Sequence, residues 1–360
     1  IKADLWKVGQ VKPGDTIRFR PVSFADALSL EQAQDAAIDG LDAVALPVPA
    51  AITPETCILT RLPPSDDRPM VTYRQAGDKY IMLEYGENVL DLRLRLRIHL
   101  LMEALSAAKV PGVAELSPGV RSVQIHYDSR VIHQDALVAT LLKLEEGLGS
   151  VAGLKVPSRI VHLPMAFEDS ATLGAVTRYQ ETVKADAPWL PNNVDFIQRI
   201  NGLDSREQVR DTIFEASYMV LGLGDVYLGA PCAVPLDPRH RLLTSKYNPA
   251  RTYTAEGTVG IGGIYMCIYG MDSPGGYQLV GRTVPIWNKF LANPQFGAEP
   301  WLLRFFDRVR FYPVTEAELD RFRTDFRAGR AQVGVEEDVF DLDAHEAAWA
   351  NEADAITSRS

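Results

Sequence analysis

The chain has 360 residues, 46% of them hydrophobic and 23% charged, with a formal net charge of −10 and a pI near 5.2. That length accommodates two or three domains, each with its own core, and the acidic balance argues against a general nucleic-acid or anionic-membrane surface. No apolar run approaches the roughly 20 residues needed to cross a bilayer, and IKADLWKVGQ lacks the apolar centre of a signal peptide, so the expected compartment is the cytoplasm.

The chain opens at Ile1 rather than Met, which reads as part of a longer polypeptide. In residues 1–28, Pro13-Gly14-Asp15 makes a turn and residues 16–19 read as a strand. Residues 29–70 shift to Ala, Pro and Asp, with LPVPAAITP and RLPPSDDRP, which is the composition of a linker. Residues 71–157 read as a small α/β unit. VTYRQAGDKYIMLEYG gives two strands about a turn at Ala76-Gly77-Asp78, VRSVQIHYD gives another strand, and HQDALVATLLKLEEGL gives an amphipathic helix. DLRLRLRIHLLMEAL carries two patterns at once. Leu92, Leu94, Leu96, Ile98 and Leu100 alternate with Arg and His as in a strand. Leu90, Leu94, Ile98, Leu101 and Leu105 share one face of a helix. The length and the Ala/Leu/Glu-rich end predict a helix.

Residues 158–216 begin with a strand, SRIVHLPMA, followed by helices, for which Asn192 or Asn193 and Asp204 are the expected N-caps. Residues 217–312 alternate short β-branched and aromatic runs with Gly/Pro turns, the pattern of a closed β-barrel. Eleven of the 26 glycines fall between residues 217 and 288. At that density the backbone turns tightly, takes positive φ, or comes close to a ligand. Residues 313–360 start with a helix capped by Thr315, with Glu318 three residues on as in a capping box. The tail after Ala331 carries eight acids and one arginine and reads as a helical or mobile linker. The fold class expected is α+β. Cys57, Cys232 and Cys267 form no CxxC pair, so neither a disulfide framework nor a thiolate zinc site is indicated. They are expected to be buried as small apolar residues. The six histidines form no HxxxH or HxH pair, so no metal is expected.

Three phrases carry a resemblance. LGLGDVYLGAP is similar to the Gly-Phe-x-Pro-Gly-Phe-x-Tyr-Leu-Gly phrase of KipI-like proteins through Tyr227-Leu228-Gly229, with Gly224-Asp225 in place of Pro-Gly. GTVGIGGIYMCIYGMDSPGGYQLVGRT resembles the same family in Ser273-Pro274-Gly275-Gly276 and Gly281-Arg282-Thr283. It departs from the oxoprolinase-subunit branch, having Met266-Cys267-Ile268-Tyr269-Gly270 in place of Gln-Thr-Gly-Ile-Tyr-Pro. PLDPRHRLLTSKYNPARTYT and DAPWLPNNVDFIQRINGLDS are similar to phrases of urea carboxylases. Over about residues 5–330, the chain thus resembles the carboxyltransferase region of biotin-dependent urea carboxylase, comprising the end of its KipA-like domain and its KipI-like domain.

The resemblance implies a ferredoxin-like unit at 71–157, a strand and helical insertion at 158–216, and a cyclophilin-like antiparallel barrel at 217–312. Residues 1–28 would be the last strand of a truncated KipA-like domain, and 313–360 would lead toward a missing biotin carrier module. It implies a ligase that transfers CO2 from carboxybiotin to urea to give allophanate. Biotin would sit covalently on a separate carrier domain, and ATP and Mg would serve a biotin carboxylase domain of the same polypeptide. This sequence has neither Met-Lys-Met nor a P-loop. Three alternatives stay open: a guanidine carboxylase of the same architecture, a KipI-like or oxoprolinase-type subunit acting by protein contact, and a binding module with a barrel fold. The PWLPNN and KYNPAR phrases speak against the second.

Carboxyl transfer needs a site that sheds water, stabilises negative charge with aimed N–H donors or a fixed cation, and holds a small polar acceptor. Nothing in that requires a metal. Against this need Arg282 is the foremost candidate, as a clamp on the transferring carboxyl; the competing reading is a strand-end arginine paired with a structural carboxylate. Lys246 and Arg251 flank Tyr247-Asn248-Pro249 in a turn placed to line the same mouth. Asn248 and Gln278 are candidates to hydrogen-bond the ureido group or urea, against solvated loop decoration. Tyr227, Tyr265 and Tyr269 offer phenolic donors or a flat wall, against the alternative of barrel core. Gly275 and Gly276 are expected to shape the backbone, and Thr283 completes the set.

Overall fold

The computed structural model describes residues 1–41, 46–224, 229–290 and 292–350. The chain divides into two compact units, Ile1–Ala152 and Gly153–Ser360, and mixes helices with sheets as an α+β protein does.

In the first unit a 3-10 turn at Lys2–Asp4 and a short helix α1 (Leu5–Val8) precede α2 (Phe24–Gly40), where the Ser23 hydroxyl accepts from the Asp26 amide. Then follow β1 (Ile58–Leu62), β2 (Val71–Gln75), β3 (Tyr80–Tyr85), α3 (Leu92–Ala108), β4 (Val113–Pro118), β5 (Ser122–Tyr127) and α4 (Gln134–Glu146). The five strands form an antiparallel sheet in the order β1-β2-β3-β5-β4. Its alternation is plain: Ile81, Leu83 and Tyr85 of β3 and Val123, Ile125 and Tyr127 of β5 are fully buried. Leu94, Ile98, Leu101 and Leu105 of α3 and Leu137 and Leu141 of α4 pack on that face. Each such side chain contributes about 1.5–3 kcal/mol on burial.

The doubly patterned segment is therefore helical. Its strand-like alternation arises because the buried face is broad enough to take arginines: Arg97 pairs with Glu145 at 2.5 Å, and the Tyr85 hydroxyl donates to the same carboxylate. Two expectations fail in this unit, and one strand was not expected. Residues 16–19 form no strand and are exposed. The supposed linker at 29–70 holds most of α2 and all of β1, because Ser23 and Asp26 start a helix in its Ala-rich stretch. VAELSP forms β4, an unforeseen strand.

The second unit begins with the long β6 (Lys155–Phe167) and three helices, α5 (Ser170–Thr182), α6 (Asn193–Ile200) and α7 (Arg206–Glu215). Strands β7 (Tyr218–Gly224), β8 (Ala230–Pro235), β9 (Arg251–Thr254), β10 (Thr258–Gly262), β11 (Tyr265–Ile268), β12 (Ser273–Gly275), β13 (Gln278–Arg282) and β14 (Arg308–Pro313) follow, then α8 (Glu316–Arg327), β15 (Gly334–Asp341) and α9 (Leu342–Ala350). Strand order is β13-β10-β11-β8-β7-β14-β6-β15, and β13 also pairs with β6. Strand pairing therefore returns to its start through seven strands, with β15 as an additional partner of β6. β9 and β12 form a separate pair. Val161, Leu163, Val220, Val259, Ile268 and Val280 belong to the core of this unit.

Asn192 caps α6, accepting from the amides of Val194 and Asp195. The cap of α7 is Ser205 rather than Asp204, whose carboxylate instead accepts from Gln208. The capping box of Thr315 and Glu318 is formed. The tail expected to be a linker carries β15, which pairs with β6 from Gly334↔His162 to Asp341↔Lys155. Its acids sit outward on an outer strand, where Arg308 pairs with Asp338 and His162 with Glu336; Phe340 faces inward. Cys267 is buried and Cys232 half-buried, but Cys57 is exposed, contrary to expectation, at the position preceding β1. Among the described residues, no helix is long and apolar enough to cross a membrane, and no group of three His, Cys, Asp or Glu residues is placed to hold a metal ion.

Candidate functional site

A pocket of about 300 Å³ lies in the second unit. Its walls are Gly224 at the end of β7, Ala230-Pro231-Cys232 of β8, Cys267 of β11 with Tyr269 just beyond it, Gly276-Tyr277 between β12 and β13, and Lys246. The glycines of β10 seat one of these walls. Gly260 and Gly262 are two apart and so share a face. A Cβ at Gly262 would come within 2.6 Å of the Tyr277 ring, and one at Gly260 within 2.9 Å of its Cβ. Tyr277 therefore packs directly on bare backbone. The Lys246 ammonium stands 5.0 Å from the centre of the Tyr277 ring, in cation–π range.

Tyr269 is 2% exposed, and its ring packs on Gly275, where a Cβ would lie 2.6 Å from it. Arg251 ties these parts together from behind. It is 1% exposed; Nη1 donates to the Tyr277 carbonyl at 2.6 Å, Nη2 to the Tyr269 hydroxyl at 3.2 Å, and Nε to Thr254 Oγ1 at 3.2 Å. Its guanidinium lies 4.3 Å from the ring centre of Tyr247, whose hydroxyl is hydrogen-bonded to Asn193. Burial pushes the Tyr247 phenol above its ordinary value. Gln278 is fully buried; Nε2 donates to the Ser245 carbonyl at 2.8 Å, while Oε1 has no hydrogen-bond partner among the described residues.

Of the residues singled out from sequence, Lys246, Tyr269 and Gly276 line the pocket together, and Gly275 seats Tyr269. Gly276 needs no bare backbone for steric reasons, since a Cβ would meet nothing nearer than 3.6 Å. Arg251 is a strand residue in the interior, not part of a mouth-lining turn. Asn248 is exposed, ahead of a cis peptide to Pro249, and Tyr265 is half-buried, its phenol pushed up by burial. Neither lines the pocket.

Arg282 is also set apart. It is half-buried at the end of β13, with Nε donating to the Glu256 carbonyl at 2.9 Å. Gly281 beside it crosses β6 so closely that a Cβ would meet the Ala166 carbonyl oxygen and lie 2.7 Å from Met165 Cε. Thr283 is buried and donates to the Pro164 carbonyl at 2.6 Å. The Gly281-Arg282-Thr283 phrase thus describes the seam between β13 and β6. Tyr227 lies outside the described residues.

Sequence reasoning missed Tyr277, Cys232 and Cys267 as pocket residues. The one signal for Tyr277 was the Gly-x-Gly of β10, which needs an aromatic partner to fill it. A second pocket, of about 290 Å³, is lined by Trp287, Phe290, Phe296 and Phe326 beside Glu256 and Arg327. Glu256 there is engaged by Arg323 and Arg327. Burial, with Arg282 and Arg327 nearby, brings the Arg323 guanidinium down to about 10.

Residues 71–296 match the carboxyltransferase domain, subdomain C and D. The urea amidolyase of Lachancea kluyveri is 54% identical over 345 residues, covering 94% of this chain and 19% of that protein. The urea amidolyase of Saccharomyces cerevisiae (strain ATCC 204508 / S288c) is 50% identical, covering 99% of this chain and 20% of that protein. The crystal structure of Kluyveromyces lactis urea carboxylase superposes with a TM-score of 0.93 at 50% identity, over 99% of this chain and 32% of that one. The chain spans about a fifth of the length of these curated relatives.

Proposed function

The chain belongs to the family of carboxyltransferase domains, subdomain C and D, and from that premise we propose that it is the carboxyltransferase part of a biotin-dependent urea carboxylase, passing CO2 from carboxybiotin to urea to give allophanate. The observation that carries this reading is the pocket beside Tyr277, where Lys246 is the one cation among the described lining residues. A small ureido ring bearing a carboxylate asks for an apolar wall and one fixed positive charge, and the pocket's lining supplies both. Carboxybiotin, when bound, supplies an activated CO2.

The chain's own residues do the rest by position. The ammonium of Lys246 stands over the Tyr277 ring, which places a positive charge at the pocket to face developing negative charge. Gln278 anchors the Ser245 carbonyl next to Lys246, and Arg251 anchors the Tyr277 carbonyl. These two buried side chains hold the backbone beside Lys246 and at Tyr277 before any ligand arrives, a preorganisation that favours an electrostatic site. Gly276, free of a side chain, keeps the pocket open beside Lys246. In this reading Arg282 and Thr283 hold the seam behind the site, and Asn248 and Tyr265 stand outside it.

The same reading makes the first unit ferredoxin-like and the seven-strand ring of the second a cyclophilin-like barrel. It further supposes a KipA-like half that completes the acceptor site, and a biotin carrier and an ATP- and Mg-using biotin carboxylase on the same polypeptide, working in the cytoplasm. Identities of 50–54% to urea amidolyases support urea as the acceptor. The test is ADP release by the longer polypeptide with ATP and bicarbonate. Stimulation by urea is expected, while stimulation by guanidine alone, or by neither, would overturn the assignment.

A further inference from the structure

Cys232 of β8 and Cys267 of β11 line the same pocket. Met266 of β11 is paired with Ala233 of β8 in antiparallel register, a register that, carried one step further, sets Cys267 opposite Cys232. Their outer neighbours are both glycines: Cys267 pairs with Gly260 of β10, and Cys232 with Gly222 of β7. Across four strands the row therefore reads Gly260, Cys267, Cys232, Gly222. Its only side chains are two thiols, both lining the same pocket. Directly opposed residues in such a ladder have Cα atoms about 4.5–5.5 Å apart, inside the range of about 4.4–6.8 Å that a disulfide spans.

We propose that Cys232 and Cys267 form an oxidisable dithiol, a modification site that closes to an intramolecular disulfide across β8 and β11 when a peroxide reaches the pocket. The inference does not depend on the carboxyl-transfer reading. Cys232 is half-buried and meets the reagent first, whereas Cys267 is buried. The Cys232 thiolate attacks one oxygen of hydrogen peroxide. The S–O bond forms, the O–O bond breaks, and the leaving hydroxide takes up a proton as water. The Cys267 sulfur then attacks Cys232, the S–S bond forms as the S–O bond breaks, and the departing hydroxide carries off the Cys267 proton as a second water. Two thiols and one peroxide thus give one disulfide and two waters. Burial, with Cys232 beside it, pushes the Cys267 thiol up to about 12, so the second step is expected to quicken as pH rises.

The test uses the chain with Cys57→Ser, since the exposed Cys57 is otherwise free to link two chains. The protein is treated with hydrogen peroxide, quenched, unfolded, alkylated and mapped by mass spectrometry without reduction. The expected result is loss of both thiols in a monomeric chain, with the peptides of Cys232 and Cys267 joined, lighter by two hydrogens, and separated by dithiothreitol. In the chain carrying Cys267→Ser as well, Cys232 should accumulate sulfinic acid instead. Three outcomes would overturn the proposal: both thiols surviving a peroxide dose that oxidises free glutathione, Cys232 oxidised beside an intact Cys267 thiol, or both oxidised without a link.

Discussion

Arg251 Nη1 donates to the Tyr277 carbonyl at 2.6 Å, so an interior guanidinium fixes the backbone of the residue over which Lys246 stands. Removing it would take one donor from that carbonyl and one from the Tyr269 hydroxyl and open a cavity beside Tyr247. Arg251→Ala is expected to cost about 2–4 kcal/mol, read as a lower urea midpoint with little change in slope. A cost near zero would mean that the guanidinium supports nothing.

Gly275 and Gly276 are neighbours with opposite expectations. A Cβ at Gly275 runs into the Tyr269 ring, whereas one at Gly276 meets only ordinary contacts. Gly275→Ala should destabilise by about 1–3 kcal/mol. Gly276→Ala should leave the melting temperature within error while narrowing the pocket. Thermal melts of the two variants, side by side, check both halves.

Lys246 is exposed, and its ammonium stands over the face of the Tyr277 ring. Lys246→Ala should therefore change stability by less than about 0.5 kcal/mol. In the longer polypeptide it should lower urea-stimulated turnover about 10²-fold, the scale of losing one charge-stabilising donor. The biotin carboxylation half-reaction should persist.

His99 on α3 is half-buried, and burial, with Arg95 adding to it, lowers its pKa below the ordinary 6.5. The unfolded chain thus takes up the proton first as pH falls. The stability tied to neutral His99 is present above about 6.5 and is lost on acidification through the folded value. Urea melts at pH 7.5 and 5.5 should show less acid loss in His99→Gln than in the parent chain. An unchanged slope would contradict the sign.

Much of this architecture was legible from sequence. The leucine spacing of DLRLRLRIHLLMEAL outweighed its alternation because two of its arginines have buried positions of their own, Arg95 and Arg97. The Thr315–Glu318 cap was readable because it is local. β15 was not, since its acids suggest solvent and only the long β6 beside it makes an outer strand. The candidate pocket was half legible. Lys246, Tyr269 and Gly276 stood out, while the Gly281-Arg282-Thr283 phrase lies at another place, where Gly281 is demanded by the crossing with β6. The places of Tyr277, Cys232 and Cys267 depend on strand register, which no local pattern reports.

The most direct measurement compares Lys246→Ala with Arg282→Ala in urea-stimulated ADP release by the longer polypeptide, each variant first shown to melt as a folded protein. A loss of about 10²-fold is predicted for Lys246→Ala, with Arg282→Ala keeping most of the turnover. Loss on changing Arg282, with activity retained on changing Lys246, would move the chemistry away from the pocket beside Tyr277.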